Sequence, residues 1–82
     1  MPESISERVI RVIADTQKLP AGRVGETSTF RELAIDSFDG LTILFALEEE
    51  FAVEVPDDAG REFASVADVV AGIERLLAEK SG

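Results

Sequence analysis

The chain has 82 residues, 45% of them hydrophobic, and a formal net charge of −9. This length and apolar content predict one small globular domain over 1–82 rather than a disordered chain. The sequence has no histidine and no cysteine, so it lacks the commonest general base, the commonest zinc ligands and the strongest side-chain nucleophile. We therefore expect a protein that is not an enzyme and that holds no metal and no disulfide.

The negative charge is concentrated between residues 36 and 62. That segment has nine acidic residues against one basic residue, Arg61, so it holds −8 of the net charge. Such a field repels nucleic acid and favours partners that have basic docking patches. The alternative is a solvated acidic face that serves solubility. With neither a secretory leader nor a long apolar run, the chain is expected to be cytoplasmic, without a membrane span.

The first helix is predicted over about 4–16. Ser4 and Glu7 have the spacing of a capping box, and apolar residues follow them at helical spacing. A long loop is predicted over 17–35, because prolines and glycines interrupt it and no periodicity runs through it. Its apolar residues are expected to anchor it over the helix ends: Leu19, Val24, Phe30 and Leu33.

The second helix is predicted over 37–51. Asp36 can accept backbone N–H groups of the first turn, and Asp39 suits the positive end of the helix dipole. Ser37 is then the first helical residue, and its hydroxyl lies where an enzyme can reach it. The free N–H groups of the helix start can bind a phosphate placed on that oxygen. Ser37 is therefore a plausible modification site.

Two apolar stripes run along this second helix. Ile43, Leu47 and Phe51 are four residues apart, and we predict that they face the core. The other stripe has two interpretations in so short a chain, a second core face or an exposed surface for a partner. Its members lie on another side of the helix: Phe38, Leu41 and Phe45.

A short third helix is predicted over 57–62. Pro56 cannot extend the preceding helix, and Asp57 or Asp58 is expected to cap the new one.

The last helix is predicted over 66–80, with Ser65 and Asp68 at its start. Its apolar stripe includes predicted core residues Val69, Ile73 and Leu77. The fold class is thus all-α, a monomeric up-and-down bundle of three main helices and one short helix with a long loop between the first two.

The residues around Ser37 resemble those of the acyl carrier proteins, whose second helix usually opens with Asp-Ser-Leu and continues into an apolar run and an acidic cluster. Here the helix opens with Asp36-Ser37-Phe38-Asp39 and ends with Ala46-Leu47-Glu48-Glu49-Glu50-Phe51. Thr29-Phe30 before the motif and Val55-Pro56-Asp57-Asp58 after it also match typical carriers. The resemblance therefore extends over nearly the whole chain.

The resemblance implies a carrier that holds acyl intermediates as thioesters on a 4′-phosphopantetheine arm. Such a carrier presents them to enzymes of fatty acid, polyketide or specialised lipid synthesis. In that family the serine, here Ser37 beside Asp36, holds the arm as a phosphodiester. A phosphopantetheinyl transferase makes this bond from coenzyme A with a divalent metal. The arm would supply the thiol that a chain without cysteine lacks.

The resemblance also implies a partner surface on the second helix. The expected partners are the transferase and the acyl-loading and synthase enzymes, through their basic docking patches. The residues expected to contact them are Phe38, Asp39, Leu41, Phe45, Glu48 and Glu49.

Four positions depart from the usual family pattern. Ala34 stands where a glycine usually precedes the motif, and Phe38 replaces the usual leucine after the serine. Gly40 weakens the second turn of the helix, and Thr42 stands where many carriers have an acid. With these departures, a specialised carrier for a polyketide, a peptide or amino acid, or an unusual lipid fits at least as well as the ordinary fatty-acid carrier. A peptidyl or aminoacyl carrier and a non-modified acidic adaptor of the same fold remain open alternatives.

Other chemistry for the same motif has less support. An EF-hand loop that starts at Asp36 fails, since its third, fifth and twelfth positions are Phe38, Gly40 and Leu47, where oxygen ligands are needed. A hydrolase nucleophile at Ser37 would have no evident base and no Gly-x-Ser-x-Gly elbow. Without the resemblance, the better interpretation is that Ser37 is simply a good helix-start residue beside its capping neighbour.

Overall fold

The computed structural model describes residues 4–81, apart from the side chains of residues 21, 57, 59 and 81. Over this range the chain forms four α-helices and no named strand, which confirms the all-α prediction and its order of helices. The helices are α1 (Ile5–Gln17), α2 (Ser37–Phe51), α3 (Asp57–Glu62) and α4 (Val66–Ser81), with a 3₁₀ turn at Ala21–Arg23. The predicted domain, 1–82, extends beyond the described residues at both ends and stays a prediction.

Local hydrogen bonds start the long helices, as predicted. The capping residues are Ser4, Asp36 and Ser65. At α1 the capping box is complete, because the Ser4 hydroxyl accepts the Glu7 amide and the Glu7 carboxylate accepts the Ser4 amide. At α3 the prediction is wrong. The helix already includes Asp57, and its N-cap is Pro56, which has no side-chain capping hydrogen bond, so neither Asp57 nor Asp58 occupies the capping position.

The core lies where α1 packs against both α2 and α4. It is apolar throughout, and its buried members are Val9, Val12, Ile13, Ala14, Val24, Ile43, Leu47, Phe51, Val55, Val66, Val69 and Ile73. Five of the six predicted core residues are among them, whereas Leu77 is half-buried and packs against the cluster from outside. Among residues 4–81, no helix is both long enough and apolar enough to cross a membrane.

The long loop between α1 and α2 is packed against the core, as its apolar anchors predicted. Val24 is buried, and Leu19, Phe30 and Leu33 are half-buried against the same cluster. The loop is also tied to the junction between α3 and α4. An isolated antiparallel bridge pairs residues 29 and 65, and the Phe30 amide donates to the Ala64 carbonyl oxygen at 2.9 Å.

A charged cluster joins α1 to the end of α2. The Glu50 carboxylate lies 2.9 Å from both Arg8 Nε and Arg11 Nη2, and Arg8 also donates to the Glu50 carbonyl oxygen. The Arg8 guanidinium lies 4.4 Å from the centroid of the Phe51 ring, within range for a cation–π contact. One member of the acidic cluster of α2 is thus part of the helix packing.

We expect Leu47→Ala or Ile73→Ala to lower the free energy of unfolding by about 2–4 kcal/mol, because each leaves a cavity in a core with few other contacts. Both side chains are completely buried. Denaturant titration followed by circular dichroism measures the loss. The matched control is Leu41→Ala, an exposed leucine of the same helix, which should change stability far less. Equal losses at positions 41 and 47 would contradict this assignment of the core.

Candidate functional site

Ser37 lies at the start of α2, with its side chain exposed. The Asp36 carboxylate accepts the Asp39 amide at 2.8 Å, and the Asp36 carbonyl oxygen accepts the Gly40 amide at 2.9 Å. Within residues 4–81, the Ser37 hydroxyl and the amides of Ser37 and Phe38 have no hydrogen-bond partner. The site therefore offers one accessible hydroxyl beside two free N–H donors, where the helix dipole is positive.

A single helical turn, residues 29–34, leads into this site. The Glu32 carboxylate accepts the amide and the hydroxyl of Thr29, both at 3.0 Å. These hydrogen bonds stabilise the ionised carboxylate, so the pKa of Glu32 lies below its ordinary value. The bond from the Thr29 amide has the larger effect, and the bond from the Thr29 hydroxyl has the smaller one. At the other end the Ile35 amide donates to the Phe30 carbonyl oxygen at 2.9 Å. This bond is the outer one of a Schellman motif.

Ala34 closes that turn in the left-handed region, at φ 57°. Its amide donates to the Arg31 carbonyl oxygen at 3.1 Å, which is the inner bond of the motif. Glycine is preferred at such a position because a Cβ atom raises the energy of this conformation. The departure from glycine at residue 34 therefore introduces strain two residues before the Asp36 cap.

An apolar cavity of about 660 Å³ opens beside Ser37. It runs between α2 and the residues of α3 and α4, and Asp36, Ser37 and Gly40 lie at its polar side. Most of the remaining lining is apolar: Phe30, Ile35, Leu41, Ile43, Leu44, Leu47, Phe63 and Val69. The combination of an exposed hydroxyl and an adjacent apolar cavity suits a long, flexible group that is attached at one end and apolar at the other.

The second stripe of α2 is on the surface, so it is not a second core face. Phe38, Leu41 and Phe45 are 76%, 53% and 61% exposed. In the described part of the chain they are the large hydrophobic side chains classed as exposed. A contiguous apolar stripe of this kind typically marks a protein-binding surface.

The three consecutive glutamates at the end of α2 have different surroundings. Glu48 Oε2 accepts the Val55 amide at 2.8 Å and so holds the turn that follows the helix. Glu50 binds the arginines of α1, and Glu49 alone of the three is exposed. No sequence spacing points to the bond between Glu48 and Val55, because the two residues are brought together by the turn. Nowhere among the described residues do three or more potential ligand side chains form a metal site.

These features define a small helical domain that has an exposed serine at the start of a helix, beside an apolar cavity. Residues 7–73 match the family described as "Phosphopantetheine attachment site". The chain belongs to this family.

Individual relatives agree with this assignment. The chain is 40% identical to an acyl carrier protein of Sinorhizobium fredii, over 90% of this chain and 96% of that protein. It is 37% identical to a mitochondrial acyl carrier protein of Dictyostelium discoideum, over 95% of this chain and 65% of that protein, so it spans just under two thirds of that relative. A crystal structure of an acyl carrier protein from Thermotoga maritima is similar in fold, with a TM-score of 0.78 and 25% identity, over 89% of this chain and 86% of that one.

The family and these relatives support a carrier role in acyl chain synthesis and imply a covalently attached 4′-phosphopantetheine group. The resemblance found in the sequence is thereby confirmed. Carriers of this type interact with synthase enzymes and with the transferase, and they are generally not catalysts themselves.

We expect Ala34→Gly to raise the free energy of unfolding by about 1 kcal/mol, because glycine adopts the left-handed conformation without the Cβ penalty. Thermal and denaturant unfolding measure the change. The matched control is Ala71→Gly at an exposed site within α4, which should lower stability by about 1 kcal/mol. A loss of stability at both positions would show that residue 34 is not strained.

Proposed function

We propose that Ser37 carries the 4′-phosphopantetheine arm and that the protein holds acyl intermediates on it as thioesters for biosynthetic enzymes. The observation that carries this proposal is the exposed, unpartnered hydroxyl at the first residue of α2, which opens onto an apolar cavity in a member of this family. Fatty acid, polyketide or specialised lipid synthesis are the pathways that such a carrier serves.

The residues present fit the arm. In the attachment step the Ser37 oxygen attacks the phosphate of coenzyme A that bears pantetheine. A new P–O bond forms, the diphosphate P–O bond breaks, and adenosine 3′,5′-bisphosphate leaves. The hydroxyl proton passes to a base of the transferase, because this chain has no histidine to accept it. The free amides of Ser37 and Phe38 favour the anionic phosphodiester that results.

The apolar cavity beside Ser37 can bind the acyl chain that the arm carries. Transfer of an acyl chain from water into an apolar cavity is favourable by about 0.8 kcal/mol for each methylene group that is buried. The lining provides aliphatic and aromatic side chains next to the attachment point. The protein would shelter the chain and release it to an enzyme, and the arm would supply the thiol of the thioester.

The remaining parts of the proposal concern the protein as a whole. We infer that the protein is a single monomeric domain. We also infer that it catalyses no step itself, since it has neither histidine nor cysteine. We propose a cytoplasmic location for this protein, although the Dictyostelium relative is a mitochondrial protein. The exposed Phe38 ring and the uncharged Thr42 support dedicated partners rather than those of the ordinary fatty-acid carrier, because they change the shape and charge that a partner meets.

We expect incubation with coenzyme A and a broad-specificity transferase to add the mass of one phosphopantetheine unit, and Ser37→Ala to abolish that addition. Intact-mass spectrometry measures both. The matched control is Thr42→Ala, which removes another exposed hydroxyl of α2 and should leave the modification intact. An unmodified wild-type protein would favour the acidic adaptor, and a modified Ser37→Ala protein would place the arm elsewhere.

We further propose that partner proteins bind α2 at the exposed residues Phe38, Leu41 and Phe45, which we call the docking stripe. Glu49 adds negative charge to this side of α2, since it follows Phe45 by four residues, one helical turn along the same face, and Asp39 adds charge in the first turn next to Phe38. Glu48 is a weaker candidate than the sequence predicted, because its carboxylate already binds the Val55 amide. Aromatic side chains at such a surface supply most of the binding energy, and rim charges mainly set the association rate.

We expect Phe45→Ala to weaken the complex with a cognate loading enzyme by about 1–2 kcal/mol. Glu49→Lys should slow association at low salt and flatten its salt dependence, because it reverses a charge that steers encounter. The matched control is Glu74→Lys on α4, with the same change in net charge. Stopped-flow measurements of association and dissociation rates at low and high salt distinguish the effects of the three substitutions. Identical rates and affinities for the wild type and both α2 variants would refute the docking stripe.

A further inference from the structure

One positively charged side chain lies at the cavity beside Ser37. Among the described residues that line this cavity, Asp36 and Arg61 are charged, and Arg61 alone is positive. Arg61 is also the single basic residue between positions 36 and 62, where nine residues are acidic. Its charge is therefore opposite to that of the whole segment around it.

The packing of α3 against α2 brings Arg61 to the cavity. Ser37, Leu41 and Leu44 all line the cavity and are three or four residues apart, so they share one face of α2. The end of α3 comes close to this face at Gly60, where an added Cβ atom would lie 3.1 Å from Leu44 Cδ2. Leu44 is about 10 Å from Ser37 along the helix axis. Arg61 follows Gly60, and its long stem can extend the guanidinium along the cavity towards the serine.

The Arg61 side chain is not engaged elsewhere in the fold. It is exposed, and it makes no ion pair or hydrogen bond within the part of the chain that the structure describes. Arg8 and Arg75, by contrast, form ion pairs with glutamates. Asp36 lines the same cavity, but its carboxylate accepts the Asp39 amide as the cap of α2. The guanidinium is thus available to another anion.

Attachment of the arm would add negative charge where the local field is already negative. A phosphodiester on Ser37 is anionic, and Asp36 and Asp39 lie one and two residues away in the sequence. The free amides of Ser37 and Phe38 can donate to it, but they carry only partial charges. A guanidinium has a full charge and two parallel N–H donors that match two phosphate oxygens. Among the described side chains of the cavity, only Arg61 can neutralise the phosphate.

We propose that Arg61 binds the phosphodiester that joins the arm to Ser37, an inference that rests on the proposed attachment at this serine. The ion pair stabilises the modified protein and holds the start of the arm on the α3 side of the cavity. Arg61 is a phosphate-binding residue of the finished carrier, and it takes no part in the attachment reaction.

The experiment compares the unmodified protein with the protein that carries the arm, for the wild type, Arg61→Gln and Arg61→Lys. The free energy of unfolding is measured for both forms of each protein, and its change on attachment is compared, so that any direct effect of the substitution on the fold cancels. Arg61→Gln should lower the ratio of the two folding constants, modified over unmodified, by about threefold, as expected for an exposed ion pair. This effect should shrink at high salt. Arg61→Lys keeps the charge and should retain most of the wild-type value.

The phosphorus NMR resonance of the arm tests the contact directly, and we expect it to move in Arg61→Gln. The matched control is Arg23→Gln, which removes the same charge from an exposed arginine outside the cavity lining. This control should leave both the phosphorus resonance and the stability change on attachment at their wild-type values.

Either an equal stability change in the wild type and Arg61→Gln or an unmoved phosphorus resonance would overturn the proposal. A slower attachment reaction in Arg61→Gln as the sole effect would also overturn it, because Arg61 would then contact the transferase instead of the arm. Intact mass tests the proposed function separately. Absence of the arm from Ser37 in the wild type refutes that function and this inference with it, whereas normal attachment with an equal stability change refutes the role of Arg61 alone.

Discussion

The hydrogen bond between the Asp36 carboxylate and the Asp39 amide determines where α2 begins, and the geometry of the site depends on that point. Because the cap is at residue 36, Ser37 becomes the first helical residue and keeps its hydroxyl unpartnered within the described chain. The turn that ends at Ala34 brings the chain to this cap in a strained backbone conformation. A cap one residue later would move the serine out of the helix and away from the free amides that can bind a phosphodiester.

The same helix has to build the core and present a surface. Leu47 and its neighbours of the first stripe are buried, because α1 packs on that side of α2. In so small a domain little structure remains to cover the opposite side, so Phe38 and Phe45 stay exposed. Exposure of these aromatic rings is unfavourable in the isolated protein, and a docked partner would remove it. The helix that holds the candidate attachment residue is therefore also the one best suited to partner recognition.

The glutamates at the end of α2 also differ in role, since two make contacts within the fold and one is exposed. Glu48 holds the following turn through the Val55 amide, and Glu50 joins α2 to Arg8 on α1. Only Glu49 is left exposed to act on an approaching protein. An acidic run that looks uniform in the sequence thus combines two structural carboxylates with one that can steer encounter. Substitution of Glu48 or Glu50 should lower the stability of the fold, whereas substitution of Glu49 should change the rate of association with a partner.

Local chemistry in the sequence determined the helices and the candidate serine. The bounds of α2 and α3 were predicted at the residues where the structure has them, and the Asp36 cap is a contact within a few residues. The exposure of the Phe38 stripe, the bond from Val55 to Glu48 and the cavity beside Ser37 were decided only by the tertiary structure. The physical reason is that capping depends on neighbours along the chain, whereas burial, long-range pairing and cavity walls depend on which distant segments pack together.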